Sequence, residues 1–379
     1  MNFELSQDHK VLRDAVRDFV EKEIKPIAMQ IDEEHMIPDA LVQKMGEMGF
    51  LGSYLPEEYG GAGLDMLAYA IVVEEVSKAC ASSGVLISAH TSLCSGPIYT
   101  FGTEAQKQQW LPALNSGEKI GCFLLTEANA GSDAGGTATM YQRDGDEFVI
   151  NGSKIFITNG GYLGTGVLLA SHDRSLKHKG VSAFIVDLSS PGVTILKNEN
   201  KMGIRGSYTT AFAFDNLRIP VENLLGQEGK GFNVAMDTLN GGRIGIASQA
   251  LGIAEGAFER ALAYSKERKQ FDQAICEFQA IQFKLADMFT RIETSKLMTY
   301  KAACLKDAKQ SYTMESAMCK MLASEAATYV TKEAMQIFGG YGFIVDYEIE
   351  RMYRDAKITE IYEGTNEIQR IVISKLLLS

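Results

Sequence analysis

The sequence predicts an α+β chain in three consecutive units: helical over 1–118, β over 119–225, and a helical bundle over 226–379. Three observations carry this. The hydrophobic period is helical at both ends and drops to two between about Ile120 and Leu225. Turn residues at short spacing crowd that middle stretch. The C-terminal stretch reads as long helices joined by short loops, which favours an antiparallel bundle. At 379 residues the chain exceeds one ordinary core, so two or three packed units are expected.

In the first unit Val11, Ala15, Phe19 and Val20 share a helical face, and Leu67, Ala70, Ile71 and Val73 begin a second apolar helix. In the middle unit Glu147–Ile150, Ser153–Ile157, Gly166–Leu169, Val181–Val186 and Ala211–Phe214 read as strands. Asp144-Gly145 and Asn151-Gly152 flank the first of them as hairpin-turn pairs. Helices are expected near 230–268, 277–307 and 313–338. Ile281, Leu285, Met288 and Ile292 trace one apolar stripe there, and Met318, Leu322, Ala326 and Tyr329 another. Nothing alternates as βαβ, no GxGxxG lies between a strand and a helix, and no GxxxxGK[ST] loop occurs. A bound nucleotide would therefore be held without a Rossmann domain.

Hydrophobic residues at 46% and charged residues at 22% are the balance of a water-soluble protein. No apolar run is long enough for a membrane span, and Met1–Ser6 lacks the basic-then-apolar pattern of a leader. A net charge of −11 disfavours nucleic acid, which needs a clustered basic surface. Six scattered cysteines without a CxxC pair read as reduced, mostly core residues of a cytoplasmic protein. Five histidines, none in a paired ligand pattern, argue against a metal site.

One short segment concentrates the chemistry. Ile361-Tyr362-Glu363-Gly364-Thr365-Asn366-Glu367 puts a single carboxylate in a turn behind two apolar residues and before a capped helix. A poorly hydrated carboxylate holds its proton more tightly and can serve as a base near neutral pH. Upstream, the small, hydroxyl-rich loop Leu125–Asp133 exposes backbone groups that suit the edge of a flat heterocycle. Lys154–Gly160 sets an aromatic and a hydroxyl two residues apart on a strand. Leu239-Asn240-Gly241-Gly242-Arg243 places two glycines in a helix, where each costs roughly 1 kcal/mol against Ala, so space is needed there. A bulky ligand passing the backbone is one reading, and close helix packing is the other. Arg268-Lys269-Gln270-Phe271 and Gln336–Gly342 close two helices.

Taken together, these segments resemble the acyl-CoA dehydrogenase family of flavoproteins in order and spacing over essentially the whole chain, with a texture closest to short-chain, butyryl-type and related bacterial members. The match runs through Leu125-Thr126-Glu127 with Gly131-Ser132-Asp133, Lys154–Gly160, Gly226–Gly231, Arg268–Phe271, Gln336–Gly340 and Arg354-Asp355-Ala356 leading to Tyr362–Thr365. The resemblance implies a helical N-terminal domain, a β-barrel-like middle domain and a C-terminal four-helix bundle. It implies a homotetramer, a dimer of dimers, with FAD reaching into a neighbouring subunit. Phe123, Leu125, Thr126, Gly131, Ser132, Phe156, Ile157 and Thr158 would line the flavin. Arg268, Gln270, Phe278, Gln279, Gln336, Ile337, Gly339 and Gly340 of the partner would hold its diphosphate and adenosine, with Thr365, Asn366 and Glu367 also at the cofactor.

By the same resemblance Glu363 removes the α-proton of an acyl-CoA thioester while the β-hydrogen leaves as hydride to flavin N5. Ser132, Asn240, Arg243, Tyr362 and Gly364 would contact the substrate, and electrons would pass to an electron-transferring flavoprotein. Asn240 departs from the family's usual Asp, Ala128 from Pro and Asp272 from Gly. Gly242 stands where other branches carry the base. Gly84-Val85-Leu86-Ile87 lacks the Arg that holds a dicarboxyl substrate, so short-chain, branched or alicyclic acyl groups are expected. An acyl-CoA oxidase, a related flavoenzyme or a non-catalytic helical scaffold are the alternatives.

Overall fold

The computed structural model describes residues 4–379; Met1, Asn2 and Phe3, part of the stretch read above for a leader, lie outside the described residues. Seven α-helices among the described residues precede the sheet: α1 Gln7–Phe19, α2 Ala28–Glu34, α3 Asp39–Glu47, α4 Met66–Ala79, α5 Ala81–Ser88, α6 Gly96–Phe101 and α7 Glu104–Asn115. Local chemistry fixes their starts. Asp65 caps α4 by accepting from the Ala68 amide, and Thr103 with Gln106 forms a reciprocal capping box on α7. Of the expected face, Phe19 and, just past α1, Val20 are buried, joined by Val16 and half-buried Leu12, while Val11 and Ala15 turn outward. α4 is buried on nearly every side, because it lies between α1 and the C-terminal helices.

The middle unit contains β1 Gly121–Leu124, β2 Met140–Asp144, β3 Glu147–Thr158, β4 Thr165–Ser171, β5 Val181–Asp187, β6 Val193–Asn198, β7 Thr209–Pro220 and β8 Leu224–Leu225. They pair in the order β6-β7-β3-β2-β4-β5-β8, with β1 alongside β4. β2 meets β4 only at Met140 and Ser171, so two half-sheets fold over one core of Tyr141, Phe148, Phe184, Phe212 and Phe214. Asp144↔Glu147 closes the expected hairpin, with Gly145 at φ 64°. Asn151-Gly152 is not a turn. It lies within the continuous strand β3, where the register to β7 slips between Ile150 and Gly152, making a bulge that the dipeptide mimics in sequence.

The chain then returns to helix: α8 Gly231–Glu267, α9 Gln279–Asp307, α10 Thr313–Phe338, α11 Ile349–Ile358 and α12 Asn366–Leu378, with a small ribbon of β9 Lys269–Gln270 and β10 Gln273–Ala274 after α8. The α9 stripe of Ile281, Leu285, Met288 and Ile292 packs inward as expected. On α10 the fully buried stripe is Ala323, Ala327, Val330 and Ala334; the expected Met318, Leu322 and Tyr329 flank it, half-buried. Glycines bring α8 hard against α4: a Cβ on Gly252 would stand 2.2 Å from the Glu74 carbonyl oxygen. Between these helices Glu74, Glu75 and Glu255 are buried against Lys78, Lys296 and Arg17. Burial and the neighbouring Glu255 push Glu74 up to about 8.

Candidate active site

Glu363 sits in the turn between α11 and α12 at φ 55°, followed by Gly364 at φ 85°. A non-glycine residue in that region costs about 1–2 kcal/mol, so the surroundings must impose it. They do. Gln369 Nε2 donates to the carbonyls of Gly364 (2.7 Å) and Glu363 (3.1 Å), the Asn366 amide donates to Glu360 (3.0 Å), and Thr365 caps α12.

The Glu363 carboxylate lies against α8. A Cβ on Gly242 would stand 2.7 Å from its Oε2 and 2.7 Å from Leu93 Cδ2. The space beside Gly242 is thus taken by the carboxylate itself, and that beside Gly241 faces Lys306 Nζ at 2.9 Å. Gly242 thus makes room for the base, while Gly241 lines a cavity together with Tyr54, Pro97, Thr238 and Lys306. Oε2 is out of contact with solvent and has no hydrogen-bond partner. Burial raises the Glu363 carboxyl to about 7, against the opposing pull of Arg243 and Lys320.

Around it stand Asn240, Arg243 and Tyr362 of the expected substrate residues, with Thr365, Asn366 and Glu367, expected at the cofactor, next along the chain; Ser132 belongs to the middle unit. Arg243 is buried in α8 and donates through Nη1 to Asn240 Oδ1 (2.7 Å), while Asn240 Nδ2 donates to Thr313 Oγ1 (3.3 Å). The Tyr362 hydroxyl donates to Gln249 Oε1, and Gln249 Nε2 to the Ala81 carbonyl (2.9 Å). Asn366 turns inward: its Oδ1 accepts from Lys320 Nζ (2.9 Å) and Ser324 Oγ (3.1 Å). Thr365 is occupied as the cap, and Glu367 is exposed.

A second group lies in the middle unit. Phe123 on β1 is half-buried, and the loop after it is pinned to β3 by three contacts. Lys154 Nζ donates to the Leu125 carbonyl (3.0 Å) and to Glu127 Oε1 (2.7 Å), and the Ile155 amide to the Thr126 carbonyl (2.9 Å). Glu127 also accepts from the amides of Ala138 (2.6 Å) and Thr139 (3.1 Å). Beyond the pin, Gly131 and Ser132 are exposed, with open space where a Gly131 Cβ would stand. Phe156 has φ 58° at a second bulge of β3 and is 58% exposed, while Ile157 points into the core and Thr158 is half-buried. An exposed aromatic beside a pinned loop with open backbone suits a flat ring system.

The third group stands at the far end of the bundle. Arg268 and Gln270 are exposed, with the Arg268 guanidinium 5.6 Å over the Tyr341 ring. Phe278 is half-buried against Phe271, Gln279 begins α9, and Gln336 and Ile337 end α10. Gly339 and Gly340 are exposed with nothing within 4 Å of a Cβ. At 1.5 Å per residue, Arg268 lies about 40 Å along α8 from Gly242. The structure therefore brings the carboxylate group together and keeps the Arg268 group apart from it within one chain.

Sequence reasoning missed Lys154, Lys320, Gln249 and Gln369. Lys320 carried a usable signal: a lone cation between Ala317 and Ala323 on the small-residue face of α10. The glutamines carried none, since nothing local sets them apart.

A three-unit helix–sheet–helix fold with a near-neutral carboxylate in the helical bundle and a surface for a flat ring in the middle unit is the frame of a flavin-dependent oxidoreductase. Family models described as the acyl-CoA dehydrogenase N-terminal, middle and C-terminal domains match residues 6–118, 122–217 and 229–378. The short-chain specific acyl-CoA dehydrogenase of Clostridium acetobutylicum is 54% identical over 374 residues, 99% of each chain. The solved butyryl-CoA dehydrogenase from Megasphaera elsdenii is 46% identical with a TM-score of 0.98, covering 100% of both chains. A chain solved in work on the electron transferring flavoprotein of Acidaminococcus fermentans is 50% identical, with a TM-score of 0.98 over 100% of both. The chain belongs to the acyl-CoA dehydrogenase family and is an FAD-dependent oxidoreductase.

Proposed function

We propose that this protein desaturates a short-chain acyl-CoA thioester between its α and β carbons, with Glu363 as the base. The observation that carries the reading is the Glu363 carboxylate, whose free Oε2 is held at a pKa of about 7 against Gly242. A base poised there is ionised at working pH yet still gains by taking a proton. The Glu363 amide N–H makes no hydrogen bond among the described residues, so it is available to the thioester carbonyl. Donation there stabilises the charge that develops when the α-proton leaves. Arg243 and Asn240 border the same space and would orient the thioester. Gly131, Ser132, Phe156 and Thr158 would hold the flavin ring. Bound FAD supplies the acceptor for the β-hydrogen, which departs as hydride. Glu363 keeps the α-proton, and the product is the 2-enoyl thioester.

The similarity to short-chain and butyryl-type relatives supports a straight short acyl group. The separation of the Arg268 group from the Glu363 group supports an adenosine site supplied by a second copy, the pairing on which a tetramer built from dimers would rest. Phe343 (81% exposed) and Leu378 (88% exposed) offer apolar surface for such contacts. An electron-transferring flavoprotein as acceptor draws support from the Acidaminococcus work named above. Six free thiols fit a reducing compartment such as the cytoplasm, and no helix among the described residues is long and apolar enough to cross a membrane.

The test is anaerobic bleaching of the purified yellow protein with straight, branched and cyclic acyl-CoAs. Butyryl-CoA should bleach fastest. A colourless protein, or bleaching by none of the panel, would overturn the reading.

A further inference from the structure

Two cations face the Glu363 carboxylate, and neither is neutralised where it is held. Arg243, on α8, rests on the carboxamide oxygen of Asn240. Lys320, on α10 and 0% exposed, rests on the carboxamide oxygen of Asn366 at 2.9 Å, and Ser324 Oγ donates to the same oxygen. Lys320 makes no ion pair among the described residues. A buried ammonium on a neutral acceptor is costly, so its persistence calls for a use.

We propose that Lys320 is a positioning residue for the base: anchored through Asn366, it fixes the Glu363–Asn366 turn and leaves its unspent positive charge acting on the Glu363 carboxylate. The anchor is direct, since Asn366 is the first residue of α12 and its amide donates back to Glu360 across the turn. A lysine bonded straight to Glu363 would hold the carboxylate as a spectator salt bridge, far too weak a base and with its oxygen covered. Standing off on Asn366, the ammonium stabilises the carboxylate without occupying Oε2. Burial, by contrast, acts on both groups to suppress charge: it draws Lys320 down to about 8 while Glu363 and Glu360 support its charge and Arg243 opposes it.

The charged and titratable groups facing this pair are few. Arg243 comes from α8, Tyr69 from α4, Glu360 and Tyr362 from the turn, and Glu367 from α12. Buried Tyr69 and Tyr362 are both pushed up, so neither ionises across the neutral range. Arg243 stays charged throughout. The pH response near neutrality therefore belongs to Glu363 and Lys320.

The inference rests on the proposed role of Glu363 and is tested on the FAD-loaded enzyme with butyryl-CoA. The measurement is the pH dependence of kcat/KM for anaerobic flavin reduction in the wild type, Lys320→Met, Lys320→Arg and Asn366→Asp. Removing the cation should move the acidic limb of Lys320→Met up by about one pH unit. Asn366→Asp, which neutralises Lys320 in place, should move it the same way. Lys320→Arg should keep the wild-type limb. If Lys320→Met does not fold with FAD, Asn366→Asp carries the test alone. A lower rate with an unmoved acidic limb in the folded variants would make Lys320 merely structural and sink the proposal. Loss of the proposed function would show differently: Glu363→Gln would then reduce flavin as fast as the wild type.

Discussion

Lys154 in the middle domain and Lys320 in the bundle are both fully buried, and burial draws each ammonium down to about 8. Their partners differ. Lys154 bonds a carboxylate directly, Glu127 Oε1 at 2.7 Å, and that carboxylate takes two further amides. Burial alone would raise Glu127, yet Lys154 and those hydrogen bonds hold it below its usual range. The pair is closed, and its charges are spent on tying a loop to a strand. Lys320 bonds the neutral carboxamide of Asn366 and not the Glu363 carboxylate, whose Oε2 stays without a partner, and there Glu363 rises to about 7. A neutral acceptor for the cation, in place of the carboxylate itself, is what distinguishes the open centre from the clamp.

The largest effect that can break this comparison is loss of the open carboxylate. Glu363→Gln should lower the rate of flavin reduction by at least the ~10²–10⁴-fold assigned to general-base catalysis, with FAD and acyl-CoA binding nearly intact. A variant keeping a tenth of the wild-type rate would overturn the assignment. The same substitution has a signed effect on stability. A carboxyl raised from its usual value to about 7 binds more protons folded than unfolded, so its folded form loses stability as pH rises from about 4.5 to 7. Glu363→Gln removes that penalty. Its unfolding temperature should gain on the wild type between pH 5 and pH 8, and equal gaps at both pH values would refute the buried, near-neutral carboxyl.

The closed pair should answer differently. Lys154→Met leaves Glu127 buried without its cation, a break that costs about 3–5 kcal/mol in comparable cases. The expected result is a large drop in the denaturant midpoint and weakened FAD retention, because the loop from Leu125 to Ser132 loses its pin. Protein that retains FAD should keep the wild-type acidic limb of the rate profile. A shifted limb with unchanged stability would mean the two lysines do the same work.

How much of this was legible in the sequence follows from the range of each interaction. The three units, the long helices and the Asp144-Gly145 hairpin are local patterns, and they read correctly. Asn151-Gly152 misled because a bulge and a turn ask for the same residues; only the pairing of β3 with β7 separates them. The turn at Glu363 stood out through its own residues. Of what tunes it, only Lys320 left a trace, as a lone cation on the small-residue face of α10; Gln249 lies far off in sequence, and Gln369, though only six residues on, acts through a side chain that any helix could carry. The glycines at 241 and 242 announced a need for space, but the occupant, a carboxylate from a turn over a hundred residues away, is visible only in three dimensions.

That occupant gives the smallest and sharpest prediction. A Cβ at position 242 would meet Glu363 Oε2 at 2.7 Å, so Gly242→Glu alone should crowd the resident base and weaken substrate binding. With Glu363→Gly the carboxylate's share of the crowding is removed, the Leu93 side chain at 2.7 Å has to turn aside, and a carboxylate growing from α8 enters the volume that the native one vacates. It approaches from another direction, and a misplacement near 1 Å can cost ~10²-fold in rate. Gly242→Glu/Glu363→Gly should therefore recover on the order of a hundredth of wild-type flavin reduction, above the level of Glu363→Gly alone. Lys320 and Asn366 are untouched in this double variant, but the new carboxylate is no longer part of the turn they anchor. Its acidic limb should consequently respond less to Lys320→Met than the wild type's does. If the double variant binds butyryl-CoA and shows no bleaching beyond Glu363→Gly, position 242 does not face the reacting carbon and the shared volume is not the site of proton removal.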